Sequence, residues 1–413
     1  MDLAILGYGV VGSGTARLLE RNRAGIDARA MRSHLRLKYI LDIRDFPGDP
    51  LEDLVVHDMD IILNDPDVAI VAETIGGLHP AFEYVLACLR AGKSVVTSNK
   101  ELVAEKGYAL LQAARERGVN FLFEASVGGG IPVIRPLSQC LAANEISEVA
   151  GILNGTTNFI LTRMLEDALP FERALRMAQE NGYAERDPSA DIGGADACRK
   201  ICILATLAFG RHVYPGQVRT EGIEGITLED AACADKLGCN IKLLGRSKRL
   251  PDGRITASVA PTLVPRNATL LACVSDVYNA VLIRGDAVDD VVFYGKGAGQ
   301  FPTASAVVAD IIDCAKHTQR RRFIEWEDGD PAYVAPAGED IAKLYIRVAC
   351  DDPARALQGI QKAFHGAAFL ETEGAAPGEI AFVTLPVQDG AARETLAGLP
   401  GIEVKIIMRI ADF

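Results

Sequence analysis

The sequence predicts an α/β protein. It has a Rossmann dinucleotide-binding domain, an α+β central domain and a C-terminal ferredoxin-like βαββαβ domain. Three observations carry this. A glycine loop, Gly7-Tyr-Gly9-Val10-Val11-Gly12, directly follows an apolar run. Short β-branched runs alternate with helical stretches over the first 125 or so residues, the pattern of a parallel sheet with crossover helices. The final 70 or so residues read strand, helix, strand, strand, helix, strand, the split βαβ order. The length of 413 residues accommodates three such domains. The domains are expected at 1–130 with 295–320, at 131–294 and at 341–413.

In the first domain, Leu3–Leu6, Leu37–Leu41, Val68–Ala72, Ser94–Thr97 and Asn120–Phe123 are expected as strands. Helices are clearest at Pro80–Ala91 and Ala104–Arg117, and glycine follows each at Gly92 and Gly118, as helix C-termini favour. The middle stretch mixes helices (Phe171–Glu180, Ala195–Phe209, Leu228–Leu237) with strands such as Ile255–Val259 and Val291–Tyr294. Glu325–Asp340, rich in Asp, Glu, Gly, Pro and Ala, reads as a linker. The last domain is expected as Lys343–Ala349, Pro353–His365, Ala367–Glu373, Glu379–Leu385, Gly390–Leu399 and Glu403–Ile410.

Composition excludes several classes. Lys plus Arg is 43 against 55 Asp plus Glu, a formal charge of −12, so no net basic footprint exists for nucleic acid. The longest apolar stretch, Ile201–Gly210, is far short of the ~20 residues that span a bilayer. The N-terminus carries Asp2 and no basic region, and does not read as a signal peptide. Nine cysteines include no CxxC pair, and Cys198 with Cys202 lacks a second pair or His to complete a zinc set. Buried thiols in a reducing cytoplasm are expected.

The glycine loop carries the first chemistry. Gly7 permits the tight turn, Gly9 lets backbone approach a pyrophosphate, and Gly12 lets the helix sit against the strand. The acidic partner of such loops lies at the end of the second strand. Here that strand ends in Asp42-Ile-Arg44-Asp45, thirty residues after Gly12. Asp42 suits a ribose 2′-hydroxyl and NAD; Arg44 suits a 2′-phosphate and NADP. The two argue in opposite directions, and the choice stays open.

Three later segments are dense in glycine, lysine and acids. Gly92–Lys100 places Lys100 beyond the carboxyl end of a strand, where Rossmann-type sheets bind ligands. Gly182–Lys200 holds Tyr183, Glu185, Asp191, Asp196 and Lys200, with Asp196 and Lys200 on one helix face. An ordinary surface ion pair and a partly desolvated lysine tuned for proton transfer both fit that spacing. Gly295-Lys-Gly297-Ala-Gly299 precedes a helix expected at Thr303–Lys316, a second glycine-loop-to-helix start.

On these residues the chain resembles the monofunctional bacterial homoserine dehydrogenases. The resemblance runs through Glu73-Thr-Ile-Gly-Gly77, Gly92–Lys100, Glu124-Ala-Ser-Val-Gly-Gly-Gly-Ile-Pro132, Asn154-Gly-Thr-Thr-Asn158, Gly182–Lys200 and Gly295–Asp310, nearly all of 1–320. It implies NAD(P)-dependent interconversion of L-homoserine and L-aspartate 4-semialdehyde, in the pathway to threonine, methionine and isoleucine. It also implies roles. Lys100 and Lys200 flank the reacting carbonyl, with Lys200 the proton donor and Asp196 orienting it. Glu185, helped by Asp191, binds the substrate ammonium, and Tyr183 and Thr156 line the pocket. Thr74, Ile75 and Gly297 lie near the cofactor, with Gly7, Gly9, Val10, Val11, Gly12 and Lys100. A sodium-like monovalent cation is held mostly by main-chain carbonyls in the stretch of Glu124, Val127, Gly129 and Ile131.

The C-terminal βαββαβ segment resembles an ACT domain, a regulatory module that often binds L-threonine in this family. Its first turn, Asp351-Asp352-Pro353-Ala354, lacks the usual glycine, so a structural or dimerising remnant and a threonine sensor both stay open. A homodimer or homotetramer is implied. Two other readings compete: another Rossmann reductase of an amino-acid semialdehyde, and a non-catalytic nucleotide- or amino-acid-sensing protein. Lys100, Glu185 and Lys200 together argue for the enzyme.

Overall fold

The structure is a computed structural model that describes residues 1–31, 33–318, 322, 324–370 and 378–413. Residues 1–145 begin with β1 (Asp2–Leu6), α1 (Val10–Arg21), α2 (Arg23–Arg29) and β2 (Arg36–Leu41). β3 (Val55–Val56), α3 (Met59–Asn64), β4 (Val68–Glu73), α4 (Ala81–Arg90), β5 (Ser94–Thr97), α5 (Lys100–Arg117) and β6 (Phe121–Leu122) follow. These six strands pair in parallel in the order β3-β2-β1-β4-β5-β6. That is the doubly wound Rossmann order, with the strand sequence reversing at β1 and β4.

The rest of the chain comprises β7 (Ile146–Ile152), α6 (Gly155–Glu166), α7 (Phe171–Glu180), α8 (Ser189–Ile192) and α9 (Ala195–Phe209). It continues through β8 (Arg219–Thr220), α10 (Leu228–Lys236), β9 (Cys239–Arg249), β10 (Ile255–Pro265), β11 (Tyr278–Gly285), β12 (Asp289–Lys296) and α11 (Gln300–Lys316). It ends with β13 (Ile341–Cys350), α12 (Pro353–Ala363), β14 (Ala368–Leu370), β15 (Glu379–Val383), β16 (Val387–Gln388), α13 (Asp389–Ala397) and β17 (Ile402–Ile410).

Two compact units emerge. The first comprises 1–145, 202–215 and 295–330; the second comprises 146–201, 216–294 and 331–413.

Within the first unit α11 packs against α1, and Gln300 Nε2 donates to Ser13 Oγ at 3.2 Å. A Cβ on Gly14 would stand 2.7 Å from Gln300 Cγ, so glycine at 14 lets these helices approach. α11 begins at Gln300, three residues before the expected Thr303. Pro302 therefore sits in the first turn, where its missing N–H has no helical partner to lose. α5 likewise begins at Lys100 and not at Ala104, because Asn99 Oδ1 accepts the Leu102 N–H as an N-cap. The segment read as a linker is not free of packing. Trp326 is buried, its ring meeting Phe123 and His212 at centroid distances of 5.9 and 5.8 Å.

The second unit holds a mixed sheet in the order β12-β11-β7-β9-β10-β17-β13-β15-β14. Strands β7, β9 and β11 were not among the expected strands. Their pairing is antiparallel, and a buried glutamate on one strand is paired with arginines on the other two. Glu148 of β7 accepts from Arg246 Nε at 2.5 Å and from Arg284 Nη1 at 2.9 Å. The C-terminal segment takes the expected strand–helix order, and β17, β13, β15 and β14 pair antiparallel as fourth, first, third, second. Residues 371–373 of the strand expected at Ala367–Glu373 lie outside the described residues. This sheet does not end at β17, which pairs in parallel with β10 at Thr262↔Arg409 and Leu263↔Ile410. Arg347 of β13 adds a buried pair with Asp230 of α10, at 2.8 and 2.9 Å, and Tyr345 OH donates to the same carboxylate at 2.8 Å.

Candidate active site

At the switch point of the first sheet the glycine loop is built as its spacing predicts. Gly7 has φ +88°, and a Cβ there would stand 3.0 Å from the Ile75 backbone. A Cβ on Gly12 would overlap the Gly7 carbonyl oxygen and approach Thr74 Oγ1 to 2.8 Å. Thr74 fills that position, its hydroxyl donating to the Leu6 and Gly7 carbonyls at 3.0 and 2.8 Å. Gly9, by contrast, faces open space. α1 then starts at Val10, which is exposed, with no side chain capping its N-terminus and no acid in its first turn. Uncapped N–H groups at a helix start suit phosphate oxygens.

Asp42 and Arg44, opposed in the sequence, are partners in the structure. The Asp42 carboxylate accepts from Arg44 Nε at 2.9 Å, Arg44 Nη2 at 3.0 Å, the Arg44 N–H at 3.0 Å and the Tyr8 N–H at 2.7 Å. The guanidinium beside Asp42, with these N–H bonds, holds its carboxyl at about 2 despite partial burial. The Arg44 guanidinium is more than half exposed and lies 5.1 Å from the Phe46 ring centroid.

Glu73, at the carboxyl end of β4, opens one of the segments that carry the resemblance but has no role assigned from the sequence. It is fully buried and accepts from the Ile75 N–H at 2.8 Å, the Gly76 N–H at 3.2 Å and Thr97 Oγ1 at 2.5 Å. Burial raises its pKa, and those donors oppose the rise. It shapes the Thr74–Gly77 turn, in which Ile75 is exposed and Gly76 and Gly77 have φ of +82° and +69°. Asn99 Nδ2 donates to the Gly77 carbonyl at 2.6 Å, tying that turn to the start of α5 and so to Lys100.

The glycine-rich stretch after β6 is buried at Glu124, Val127 and Ile131. Gly129 has φ +55°, and a Cβ on it would overlap the Gly297 carbonyl oxygen, so this stretch touches the Gly295–Gly299 loop. The Glu124 carboxylate accepts the N–H groups of Val133, Ile134 and Arg135 at 2.7–2.8 Å. Asp310 of α11 accepts the Glu124 N–H at 2.8 Å and Arg135 Nη2 at 2.6 Å. Burial, with Glu124 nearby, pushes Asp310 up to about 7 against the pull of Arg135.

The second unit brings Lys200, Asp196 and Asp191 together. Lys200 Nζ donates to Asp196 Oδ2 and to the Leu153 carbonyl, both at 2.7 Å, and both side chains are more than nine-tenths buried. The ordinary surface pair is thereby excluded. Asp191 joins through Asn154, whose Nδ2 donates to Asp191 Oδ1 at 2.7 Å and Asp196 Oδ2 at 2.9 Å. Thr156 is buried and donates to the Tyr183 carbonyl at 2.6 Å, while the half-exposed Tyr183 ring meets Phe159 edge-on at 5.1 Å. Glu185 lies on the exposed turn between α7 and α8, where its carbonyl accepts from Gln179 Nε2 at 3.1 Å. The structure does not bring its carboxylate into the lysine cluster.

A family model described as "Homoserine dehydrogenase" matches residues 132–312, and one described as "Homoserine dehydrogenase, NAD binding domain" matches residues 7–124. The homoserine dehydrogenase of Synechocystis sp. is 37% identical over 99% of both chains. The chain belongs to the homoserine dehydrogenase family. The Pseudomonas aeruginosa homoserine dehydrogenase is 44% identical over 76% of this chain and 73% of its own. A solved homoserine dehydrogenase from Thiobacillus denitrificans superposes with a TM-score of 0.87 at 35% identity, covering 100% of this chain and 98% of that one. A hyperthermophilic archaeal homoserine dehydrogenase in complex with NADPH matches at TM-score 0.63 and 26% identity, covering 76% of this chain and 97% of its own.

The activity is therefore that of an NAD(P)-dependent oxidoreductase interconverting L-homoserine and L-aspartate 4-semialdehyde. The other semialdehyde reductase and the non-catalytic sensor are set aside. Among the described residues no helix is long and apolar enough to cross a membrane.

Proposed function

We propose that Lys200 is the proton donor in reduction of L-aspartate 4-semialdehyde, with Asp196 orienting it. The observation that carries this is the buried Lys200–Asp196 pair anchored on the Leu153 carbonyl. When bound, the reduced nicotinamide supplies the hydride that reaches the aldehyde carbon. The carbonyl π pair moves to oxygen, and an N–H of the Lys200 ammonium passes its proton there, which leaves a neutral amine and the alcohol. Asp191 and Glu185 are the proposed ammonium-binding carboxylates, with Thr156 and Tyr183 shaping the wall. Lys100, at the first turn of α5, serves the reacting carbonyl in the same reading.

We assign the cofactor as NADP(H). The Asp42 carboxylate already accepts four donors from this chain, three of them from Arg44, while the exposed Arg44 guanidinium commits only Nε and Nη2 to that pair and keeps its Nη1 edge for a ligand. A 2′-phosphate gains a charge-assisted contact there, whereas a ribose hydroxyl must compete for an occupied carboxylate. Such contacts contribute about 1.5–3 kcal/mol. Arg44→Ala is thus expected to reduce the ratio of kcat/KM for NADPH to that for NADH by about 10- to 100-fold. Steady-state rates with each cofactor check this, and an unchanged ratio removes the assignment.

A sodium-like cation fits the loop at Glu124, Val127, Gly129 and Ile131. The Glu124 carboxylate is committed to three N–H groups, so the oxygens left to a ligand in this buried stretch are main-chain ones. Among the described residues no cluster of three His, Cys, Asp or Glu side chains offers an alternative metal site. Hard oxygen donors without carboxylate charge suit a monovalent ion.

We assign the C-terminal βαββαβ segment, the ACT-like part of the chain, a structural role. Its sheet continues through β17 into β10, and Arg347 with Asp230 locks it to α10. In this reading L-threonine leaves the rate unchanged, and a saturable inhibition by L-threonine restores the effector role. Assembly as a homodimer or homotetramer, and a cytoplasmic setting in which all nine cysteines remain thiols, complete the reading.

A further inference from the structure

We infer that Asn154 is a positioning residue for the proton-transfer step, the clamp that sets the geometry of Asp196 and thereby of Lys200. This deepens the reading of Lys200 as proton donor and rests on it. Asn154 is buried and stands at the N-cap of α6, directly after Leu153, whose carbonyl accepts from Lys200. Every polar atom of its side chain is used. Oδ1 accepts the Thr157 N–H at 2.9 Å, and Nδ2 gives one N–H to Asp191 Oδ1 at 2.7 Å and the other to Asp196 Oδ2 at 2.9 Å.

The chemistry of that position is demanding. Asp191 and Asp196 accept from the same amide nitrogen, so two carboxylates that repel one another share one donor. A neutral donor of two N–H bonds between them offsets the repulsion without competing with Lys200 for charge. Asp196 Oδ2 accepts from both Asn154 Nδ2 and Lys200 Nζ, so the amide fixes the very oxygen that aims the ammonium. Asparagine alone among good N-cap residues offers an acceptor to the helix and two donors to the carboxylates at once.

That division of labour gives a test separating capping from positioning. Asn154→Ser keeps a strong N-cap but replaces the two amide N–H donors with a single, shorter hydroxyl. Asn154→Asp keeps the cap and the shape but turns a third carboxylate toward the other two. Both are expected to retain the KM for NADPH, with the thermal midpoint close to wild type in Asn154→Ser and lowered in Asn154→Asp by the added buried carboxylate. Turnover is expected to fall by about tenfold for Asn154→Ser and further for Asn154→Asp, on the scale set by small misplacements of a reacting group. Wild-type turnover in Asn154→Ser, or losses that only track a drop in thermal midpoint, would overturn the positioning role. Lys200→Arg in the same assay distinguishes the failures. If Lys200→Arg loses turnover and Asn154→Ser keeps it, only this inference falls. If Lys200→Arg also turns over as the wild type does, the reading of Lys200 falls with it.

Discussion

Lys200→Ala is expected to lower turnover of L-homoserine by about 10²–10⁴-fold, the usual contribution of a positioned general acid. Binding of NADPH, measured by quenching or fluorescence of the reduced nicotinamide, should be retained, because the glycine loop and the Asp42–Arg44 pair belong to the other compact unit. The alanine also leaves Asp196 buried without its ammonium, and an uncompensated buried charge costs about 3–5 kcal/mol. Lys200→Arg separates the two effects. Arginine preserves a cation beside Asp196 yet does not give up its proton, its pKa lying above about 12. It should fold as the wild type does and turn over nearly as slowly as the alanine variant. Near-normal turnover in either variant would sink the role of Lys200.

Gly12→Ala carries the second large effect. The added methyl would overlap the Gly7 carbonyl oxygen and crowd Thr74 Oγ1, both parts of the turn that begins the cofactor site. Backbone on one side and a doubly bonded hydroxyl on the other leave little that moves cheaply. The expected outcome is a rise in KM for NADPH of tenfold or more, about 1.4 kcal/mol or above, with a lowered thermal midpoint. Gly9→Ala is the contrast. Its Cβ meets no protein atom within 4 Å, so the protein should remain as stable while the cofactor is pushed away. Equal cofactor affinity in both variants and wild type would show that this loop does not cradle the pyrophosphate.

Much of the first unit was legible because parallel strands buried on both faces read as short apolar runs, and glycine marks where chain and ligand must approach. The second unit was legible at α7, α9, α10, α12 and α13 and at its C-terminal strands but not at α6, α8, β7, β9 and β11. Those strands carry Glu148, Arg246, Lys242 and Arg284, and a buried charge looks solvated until its partner on the next strand is known. Lys242 illustrates this. It is buried, its Nζ donates to the Val274 carbonyl at 2.6 Å, and burial pulls its pKa down to about 8.

At the site, i,i+4 spacing put Lys200 and Asp196 on one helix face but left a surface ion pair open, and their roles came from the family resemblance; the glycine loop was legible by its own pattern. Asn154 and Glu73 were not singled out, since an asparagine before Gly-Thr-Thr and a glutamate ending a strand have ordinary local explanations. Their importance lies in what folds around them: two aspartates for one, and two N–H groups with the Thr97 hydroxyl for the other. The Asn-Gly-Thr-Thr start of α6 did offer one signal, an N-cap residue placed at the end of a buried strand. The Asp42–Arg44 conflict was likewise not resolvable from sequence, because the two side chains bind each other.

The most direct measurement is the initial rate of reduced-nicotinamide formation by the unmodified protein given L-homoserine, with NADP+ and with NAD+ in turn. Formation is expected to depend on L-homoserine, to be faster with NADP+ and to be lost in Lys200→Arg. A rate no greater than without L-homoserine, or one that Lys200→Arg leaves intact, would contradict that expectation.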